Sequence, residues 1–337
     1  MIGWGDVYKV AAAMAPLYVA LVLGYGSVRW WKVFTPEQCG AVNRLVTLFI
    51  LPFFGFDFTV HTNTLAMNYR VLAADAIAKT LAVVALACAW AAAAWVGRTA
   101  REKKEGGSGG GWAVTGFALA ALNNTLVVGV PLVRAMYGKW AQDLVVQLSV
   151  LQAAVWLPML LFALELRKTR IGFSSSTAPV PPVIKDVEIK DEEGAQKCRQ
   201  QVQCHFAWHI EMPSIIEGSV QIMSRAGAGM AMFSMGLFMA LQEKLIACGP
   251  RLTVVGMALR FIAGPAAAMV GAIAVGLRGD VLRLAIIQAA LPQSITTFVF
   301  AREYGLHAEV LSTAVIFGTL VSLPVLIAYY VLLGLIR

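Results

Sequence analysis

Charged residues are scarce in this sequence. Asp, Glu, Lys and Arg make up 14% of the 337 residues, whereas a typical soluble domain is about one quarter charged. Hydrophobic residues make up 59% of the chain, and its mean hydropathy is +0.71. This composition excludes an ordinary soluble domain and indicates a polytopic membrane protein.

Several kinds of chemistry lack the residues that they need. The cysteines are scattered and show no disulfide-framework spacing: Cys39, Cys88, Cys198, Cys204 and Cys248. Two of them lie near His205 and His209, but this spacing fits no standard zinc site. No Ser/His/Asp or paired-carboxylate arrangement indicates an enzyme, so we predict no catalytic residue, cofactor or metal.

Long apolar runs are what the sequence has in abundance. Runs of about 20 apolar residues, enough to cross a bilayer, occur at 7–30, 41–61, 71–96, 112–133, 141–165, 216–242, 250–277, 281–301 and 307–336. Between the fifth and sixth runs lies a polar tract with prolines and an acidic patch, which predicts a flexible linker. We therefore divide the chain into a first transmembrane repeat (1–165), a linker (166–207) and a second repeat (208–337).

The basic residues predict the orientation of the chain. Most of those around the first five spans fall on the side of the linker, and four fall on the other side: Lys9, Arg70, Arg134 and Lys139. The positive-inside rule places the linker in the cytosol and the amino terminus in the lumen or outside the cell. The net charge of +8 fits this pattern better than nucleic-acid binding.

The fourth span contains polar and helix-breaking residues at mid-membrane. Asn123 and Asn124 are adjacent, and Gly129 and Pro131 follow within two turns. Backbone leaves the helix inside a membrane only where protein or a water-filled cavity surrounds it. A second interruption, around Pro292 and Gln293, lies in the eighth span. Paired interruptions of this kind indicate the substrate site of a secondary transporter.

The two halves of the sequence repeat weakly. Matching dipeptides at Ala121/Ala290, Tyr137/Tyr304 and Leu157/Leu323 lie 169, 167 and 166 residues apart in the same order. Five helices per half would make the repeats inverted, because an odd number reverses the second half. The second half has only four spans, so either its first helix has been lost or a re-entrant arrangement replaces it. Without that helix, later spans would enter the membrane from the opposite side.

Five runs closely resemble the PIN-FORMED auxin efflux carriers of plants: PLYV (16–19), FTPEQC (34–39), GMAMFSMGLFMA (229–240), QAALPQ (288–293) and FVFAREY (298–304). The resemblance covers about 1–170 and 208–337. It implies an all-α, bile-acid-symporter-like fold of inverted five-helix repeats with crossed broken helices. It also implies a scaffold domain, a transport domain and a homodimer in the membrane lipid. The family's sixth helix is the one missing here.

The resemblance further implies elevator-type export of indole-3-acetate as the anion, without a co-driving ion gradient. The short linker resembles the short-loop branch, which is typically in the endoplasmic reticulum; the plasma membrane is the alternative. This chain has Asn123 where many members have Pro. It has Leu157 where some members offer a Tyr hydroxyl to the substrate.

The predicted substrate site lies at the two interruptions. Asn124 is expected to bind the carboxylate, as the family's crossover Asn implies, with Gln293 at the second break and the positive ends of the half-helices nearby. The expected apolar wall is formed by Leu51, Val127 and Ile295. Asn123 and Pro292 mark the crossover itself. The alternative is that Asn124 and Gln293 only satisfy carbonyl groups freed by Pro131 and Pro292.

A second predicted constellation lies on the third span. Asp75 and Lys79 are four residues apart, so they can pair on one helix face. Ionisable residues inside a membrane are costly and indicate function by default. The resemblance assigns both to a support site, together with Gln152 on the fifth helix. Our hypothesis is that protonation or re-pairing of Asp75 biases the inward–outward equilibrium; the alternative is a structural pair near the membrane edge.

We therefore expect an auxin carrier that moves indole-3-acetate from the cytosol into the lumen. A transport-inactive isoform that dimerises with full-length carriers and regulates them is the first alternative. A sodium-coupled organic-anion symporter is the second, and sodium dependence would distinguish it. No additional acidic residue near the crossover indicates a cation site.

Overall fold

The computed structural model describes residues 4–61, 67–96, 109–174, 214–242 and 246–335. Within these ranges the chain is helical and has no β-strand. The α-helices are α1 (Trp4–Arg29), α2 (Pro36–Leu45), α3 (Leu51–His61), α4 (Tyr69–Val96), α5 (Gly109–Ala121), α6 (Val130–Tyr137), α7 (Lys139–Leu151), α8 (Leu157–Ser174), α9 (Ser214–Arg225), α10 (Gly227–Leu241), α11 (Pro250–Ala258), α12 (Gly264–Ala274), α13 (Gly279–Ala289), α14 (Ile295–Glu303) and α15 (Ala308–Leu335). The protein is an all-α polytopic membrane protein.

Helices long and apolar enough to span a membrane occupy six of the predicted spans: Gly5–Arg29, Pro36–Phe58, Tyr69–Ala89, Lys139–Thr169, Pro250–Ala274 and Ala308–Leu335. Each of the other three predicted spans consists of two shorter helices: α5 with α6, α9 with α10, and α13 with α14. The breaks after α5 and after α13 fall at the positions that the sequence predicted. Helix α8 continues to Ser174, so the first nine residues of the predicted linker are helical. The rest of that linker, with Cys198, Cys204, His205 and His209, lies outside the described residues.

Four spans contain a short π-helical turn that ends two residues before a proline. In each, the residue that precedes the proline donates its N–H to the carbonyl five residues earlier. A proline lacks an N–H, and its ring clashes with the carbonyl four residues back. The wider π turn relieves that clash without ending the helix. The turns are Val46–Ile50, Thr125–Gly129, Gln152–Trp156 and Leu259–Ala263, which precede Pro52, Pro131, Pro158 and Pro265.

The chain forms two compact units. The larger contains Met1–Met14, Ala66–Ser174 and Lys244–Arg337. Its helices α4 and α12 pack closely at Gly271, where an added Cβ would lie 2.5 Å from the carbonyl oxygen of Ala74. Close approach at small residues is the usual way in which membrane helices pack, because lipid offers no hydrophobic drive between them.

The smaller unit contains Ala15–Leu65 and Ser175–Glu243. Helices α1 and α10 approach at Gly236, where an added Cβ would lie 2.1 Å from the carbonyl oxygen of Leu21. A side-chain hydrogen bond also joins α9 to α3 in this unit: Ser224 Oγ donates to Asp57 Oδ2 at 2.6 Å. Each unit therefore collects helices from both halves of the sequence.

Candidate functional site

The two predicted interruptions meet in the larger unit. Helix α5 ends at Ala121 and helix α13 ends at Ala289, and the segments that follow them pair as an antiparallel bridge. Asn124 N donates to Pro292 O at 2.8 Å, and Ser294 N donates to Leu122 O at 3.2 Å. Each break thereby satisfies backbone groups that the other leaves without helical partners, as an unwound membrane segment requires.

Asn123 fastens this crossing and is buried. Its Nδ2 donates to the backbone oxygen of Gln288 at 2.7 Å and to Gln288 Oε1 at 3.0 Å. Gln152 clamps its backbone: Asn123 N donates to Gln152 Oε1 at 3.1 Å, and Gln152 Nε2 donates to Asn123 O at 2.8 Å. Gln152, which the resemblance assigned to the support site, therefore braces the crossover.

Asn124 differs from its neighbour. It is half-buried and precedes the π turn Thr125–Gly129, but its side chain makes no hydrogen bond within the described part of the chain. The Thr125 hydroxyl beside it is buried and also has no hydrogen-bond partner among the described residues. The first N–H groups of a helix lack intrahelical partners and carry a partial positive charge. The start of this half-helix therefore has donors without hydrogen-bond partners among the described residues.

Gln293 is completely buried. Its Nε2 donates to Ala118 O at 2.9 Å and to Thr297 Oγ1 at 2.8 Å. It thus holds a carbonyl near the end of α5, whereas Asn124 holds none. Ala118 O also accepts from Leu122 N at 3.2 Å, so it is not a carbonyl freed by Pro131 or Pro292, and Gln293 Oε1 is buried without a hydrogen-bond partner among the described residues. The roles of Asn124 and Gln293 stay predictions.

The predicted wall residues fall in both compact units. Val127 is buried and Ile295, the first residue of α14, is half-buried; both belong to the larger unit. Leu51, at the start of α3, is half-buried in the smaller unit. The larger unit therefore brings together Asn124, Val127 and Ile295 with the buried Pro292 and Gln293.

Asp75 and Lys79 form the predicted ion pair. Lys79 Nζ lies 2.9 Å from Asp75 Oδ2, and the two side chains are 5% and 15% exposed. Lys79 Nζ also lies 5.4 Å from the ring centroid of Trp156, a favourable cation–π position. The pair lines a cavity of about 30 Å³ together with Asn123 and Gln288, room for one or two water molecules.

Sequence analysis missed Arg260. It lies in the π turn Leu259–Ala263 and is 1% exposed. Its Nε donates to Leu291 O at 2.5 Å, and its Nη2 donates to Asn123 Oδ1. The available signal was a single arginine in the middle of the apolar run 250–277, a position that indicates function by default.

Comparison with known proteins shows the family of this chain. The chain matches the membrane transport protein family over residues 9–192 and 202–330. It is 58% identical to "Probable auxin efflux carrier component 5b" of Oryza sativa subsp. japonica and 53% identical to "Auxin efflux carrier component 5" of Arabidopsis thaliana, over the full length of both chains in each case. The chain belongs to the PIN-FORMED auxin efflux carriers. The resemblance seen in the sequence is confirmed, and membership in a transporter family agrees with the expectation of a carrier rather than an enzyme.

The alignments with the PIN-FORMED relatives are longer than this chain. The alignment with the rice component 5b extends over 368 positions against 337 residues here, so at least 31 residues of that relative have no counterpart. A membrane span needs about 20 residues. The difference is large enough to contain one helix with its connections.

Proposed function

We propose that this chain carries indole-3-acetate, as the anion, out of the cytosol and into the lumen of the endoplasmic reticulum. The observation that carries the proposal is the free amide of Asn124 at the crossing of two broken spans. The names of the relatives support the substrate, because the aligned PIN-FORMED proteins are auxin efflux carriers.

In the proposed binding mode, the carboxylate accepts hydrogen bonds from Asn124 Nδ2 and from the Thr125 hydroxyl, both free among the described residues. The N-terminus of the half-helix adds a partial positive charge, equivalent to about half an elementary charge, that attracts the carboxylate. Neither donor is itself charged, so the substrate can leave again. Val127 and Ile295, which belong to the same unit as Asn124, contact the indole ring.

The division into compact units supports elevator-type alternating access. The crossing, the Asp75–Lys79 pair and the cavity beside it all lie in the larger unit. In the proposed mechanism the larger unit is the transport domain that carries the site across the membrane, and the smaller unit is the scaffold. Protonation or re-pairing of Asp75 biases the inward–outward equilibrium. The chain acts as a homodimer.

The alternative is a transport-inactive isoform that dimerises with longer carriers and regulates them. The shorter length relative to the PIN-FORMED proteins favours this alternative. The intact crossing favours the carrier, because both breaks and their braces form without additional residues. A sodium-coupled symporter would differ from both in requiring sodium.

Binding of radiolabelled indole-3-acetate to the purified chain tests the proposed site. Asn124→Ala removes one donor and should weaken binding by about ten- to hundredfold, because a hydrogen bond to a charged group contributes about 1.5–3 kcal/mol. Asn124→Asp has nearly the same shape but adds a negative charge, and should abolish binding. Thr80→Val is the control, because its exposed hydroxyl bonds only within its own helix. Wild-type affinity in Asn124→Asp would contradict the site.

A further inference from the structure

Arg260 joins the two interruptions through a single side chain. Besides Leu291 O and Asn123 Oδ1, its Nη1 donates to Leu119 O at 3.2 Å and to Leu122 O at 3.5 Å. These acceptors belong to both crossing segments. All of them are neutral amide or carbonyl oxygens.

The charge of Arg260 has no matching carboxylate in the described part of the chain. Lys9–Asp6, Lys79–Asp75 and Arg283–Asp280 are ion pairs within those residues, and none of them includes Arg260. Because Asp75 and Lys79 cancel one another beside the crossing, Arg260 leaves that region with one net positive charge. A buried charge without a partner is costly, and in a membrane span more so.

We propose that Arg260 makes the crossing selective for an anion. The carboxylate of the bound molecule is the negative charge that balances the positive charge of Arg260. The inference rests on the proposed function, in which that molecule is an aromatic carboxylate. Arg260 acts at a distance, because its donors are already bonded to the crossing. It is a specificity-determining and positioning residue that sets the potential around Asn124.

A purely mechanical brace would behave differently. Loss of a brace weakens every ligand of the crossing alike, whether or not the ligand is charged. Loss of a charge weakens the anion and leaves a neutral ligand of the same shape nearly unaffected. The ratio of two affinities therefore separates the two roles.

The experiment measures binding of indole-3-acetate and of its uncharged amide, indole-3-acetamide, to the purified full chain. The wild type should bind the acid about tenfold more tightly than the amide, and Arg260→Gln should lower that ratio severalfold. The preference that remains comes from the Asn124 and Thr125 donors and from the positive helix end. Arg260→Lys keeps the charge and should keep the ratio. Tyr329→Phe is the control, because it removes a neutral hydrogen bond to the neighbouring Phe261 O, 2.6 Å long, and should leave the ratio unchanged.

A second variant keeps Arg260 in place. Asn123→Asp retains an acceptor for Nη2 and cancels the positive charge, but it loses the two hydrogen bonds that Asn123 Nδ2 donates to Gln288. When folded, it should lower the ratio as Arg260→Gln does. Thermal unfolding in detergent establishes which variants are folded. A folded Arg260→Gln or Asn123→Asp protein with the wild-type ratio would overturn the inference, as would a folded Arg260→Lys protein without it.

The wild type separates this inference from the proposed function. Binding of both ligands without preference for the acid would overturn the role of Arg260 alone. Binding of neither ligand would overturn the proposed function and, with it, the inference.

Discussion

Asn123 and Asn124 are adjacent in the sequence, and the backbones of both are hydrogen-bonded. They differ in their side chains. Gln152, Gln288 and Arg260 all hydrogen-bond to Asn123, whereas the amide of Asn124 makes no hydrogen bond within the described residues. A carrier needs both conditions, because a fixed backbone positions a donor that remains available to the substrate. The first asparagine therefore holds the crossing, and we propose that the second is presented to the ligand.

Gln152 should be important for stability. Gln152→Leu leaves the backbone N–H and C=O of Asn123 buried without partners, which costs about 1–3 kcal/mol for each group. Gln142 lies on the same continuous helix and is also buried, but its Oε1 has no hydrogen-bond partner among the residues described. Thermal unfolding in detergent should therefore show a large loss for Gln152→Leu and a small one for Gln142→Leu. Equal losses would contradict the brace.

His307 should make stability depend on pH. Its ring stacks on Trp112 with 3.8 Å between ring centroids, and its Nδ1 lies 2.9 Å from Thr115 Oγ1. Burial, followed by the nearby positive charge of Arg167, lowers the pKa of His307 below its ordinary 6.5. The fold thus favours the neutral ring, so its contribution to stability is complete above the ordinary pKa and is lost as the pH falls through the lowered one.

His307→Asn tests this contribution. Asparagine tolerates the left-handed backbone at this position, where φ is 46°, and it does not titrate. The thermal midpoint of the wild type should fall more than that of the variant between pH 7.5 and pH 5. Parallel curves for the two proteins would show that His307 does not titrate on unfolding.

The sequence predicted some site residues and not others for a physical reason. Asn124 and Gln293 stand out because amides are rare in apolar spans and lie beside helix breakers. Arg260 is one charge among many apolar residues, so it scarcely changes the hydropathy of its span. The partners of Gln152 lie on segments distant in sequence, and nothing in its own span indicates which it contacts.

At the scale of elements, the residues within each span predict where the spans and breaks lie. They do not predict which spans pack against one another. The run of apolar residues gave the position of every predicted span, and the proline and asparagine residues gave both interruptions of the crossing. The π turns before Pro52, Pro131, Pro158 and Pro265 were not predicted. A proline inside a span can be accommodated in more than one way, and Pro324 lies within a regular α-helix.

The contact between α1 and α10 depends on glycine. Gly236→Ala would place a Cβ 2.1 Å from the carbonyl oxygen of Leu21, so the two helices must separate and the smaller unit should lose about 1–3 kcal/mol. Gly218→Ala in α9 is the control, because an added Cβ there meets no atom within 4 Å. We expect a lower thermal midpoint for Gly236→Ala alone. A wild-type midpoint for that variant would show that the helices do not need this close approach.

At the scale of the whole molecule, compact units and sequence repeats divide the chain differently. The predicted repeats, 1–165 and 208–337, are continuous in sequence, whereas each compact unit is assembled from separate stretches. Packing between distant helices determines the units, and hydropathy contains no information about such packing. The inverted orientation of the repeats, the absence of the family's sixth helix and the consequence of that absence remain predictions.

The measurement that tests the central claim is release of radiolabelled indole-3-acetate from proteoliposomes that contain this 337-residue chain. Asn124→Ala is the matched negative variant, and a chain with a tenth helix restored between residues 200 and 208 is the positive one. Our account predicts release by the native chain and a marked loss in Asn124→Ala. Release from the restored chain alone would contradict it and would identify the native chain as the transport-inactive isoform.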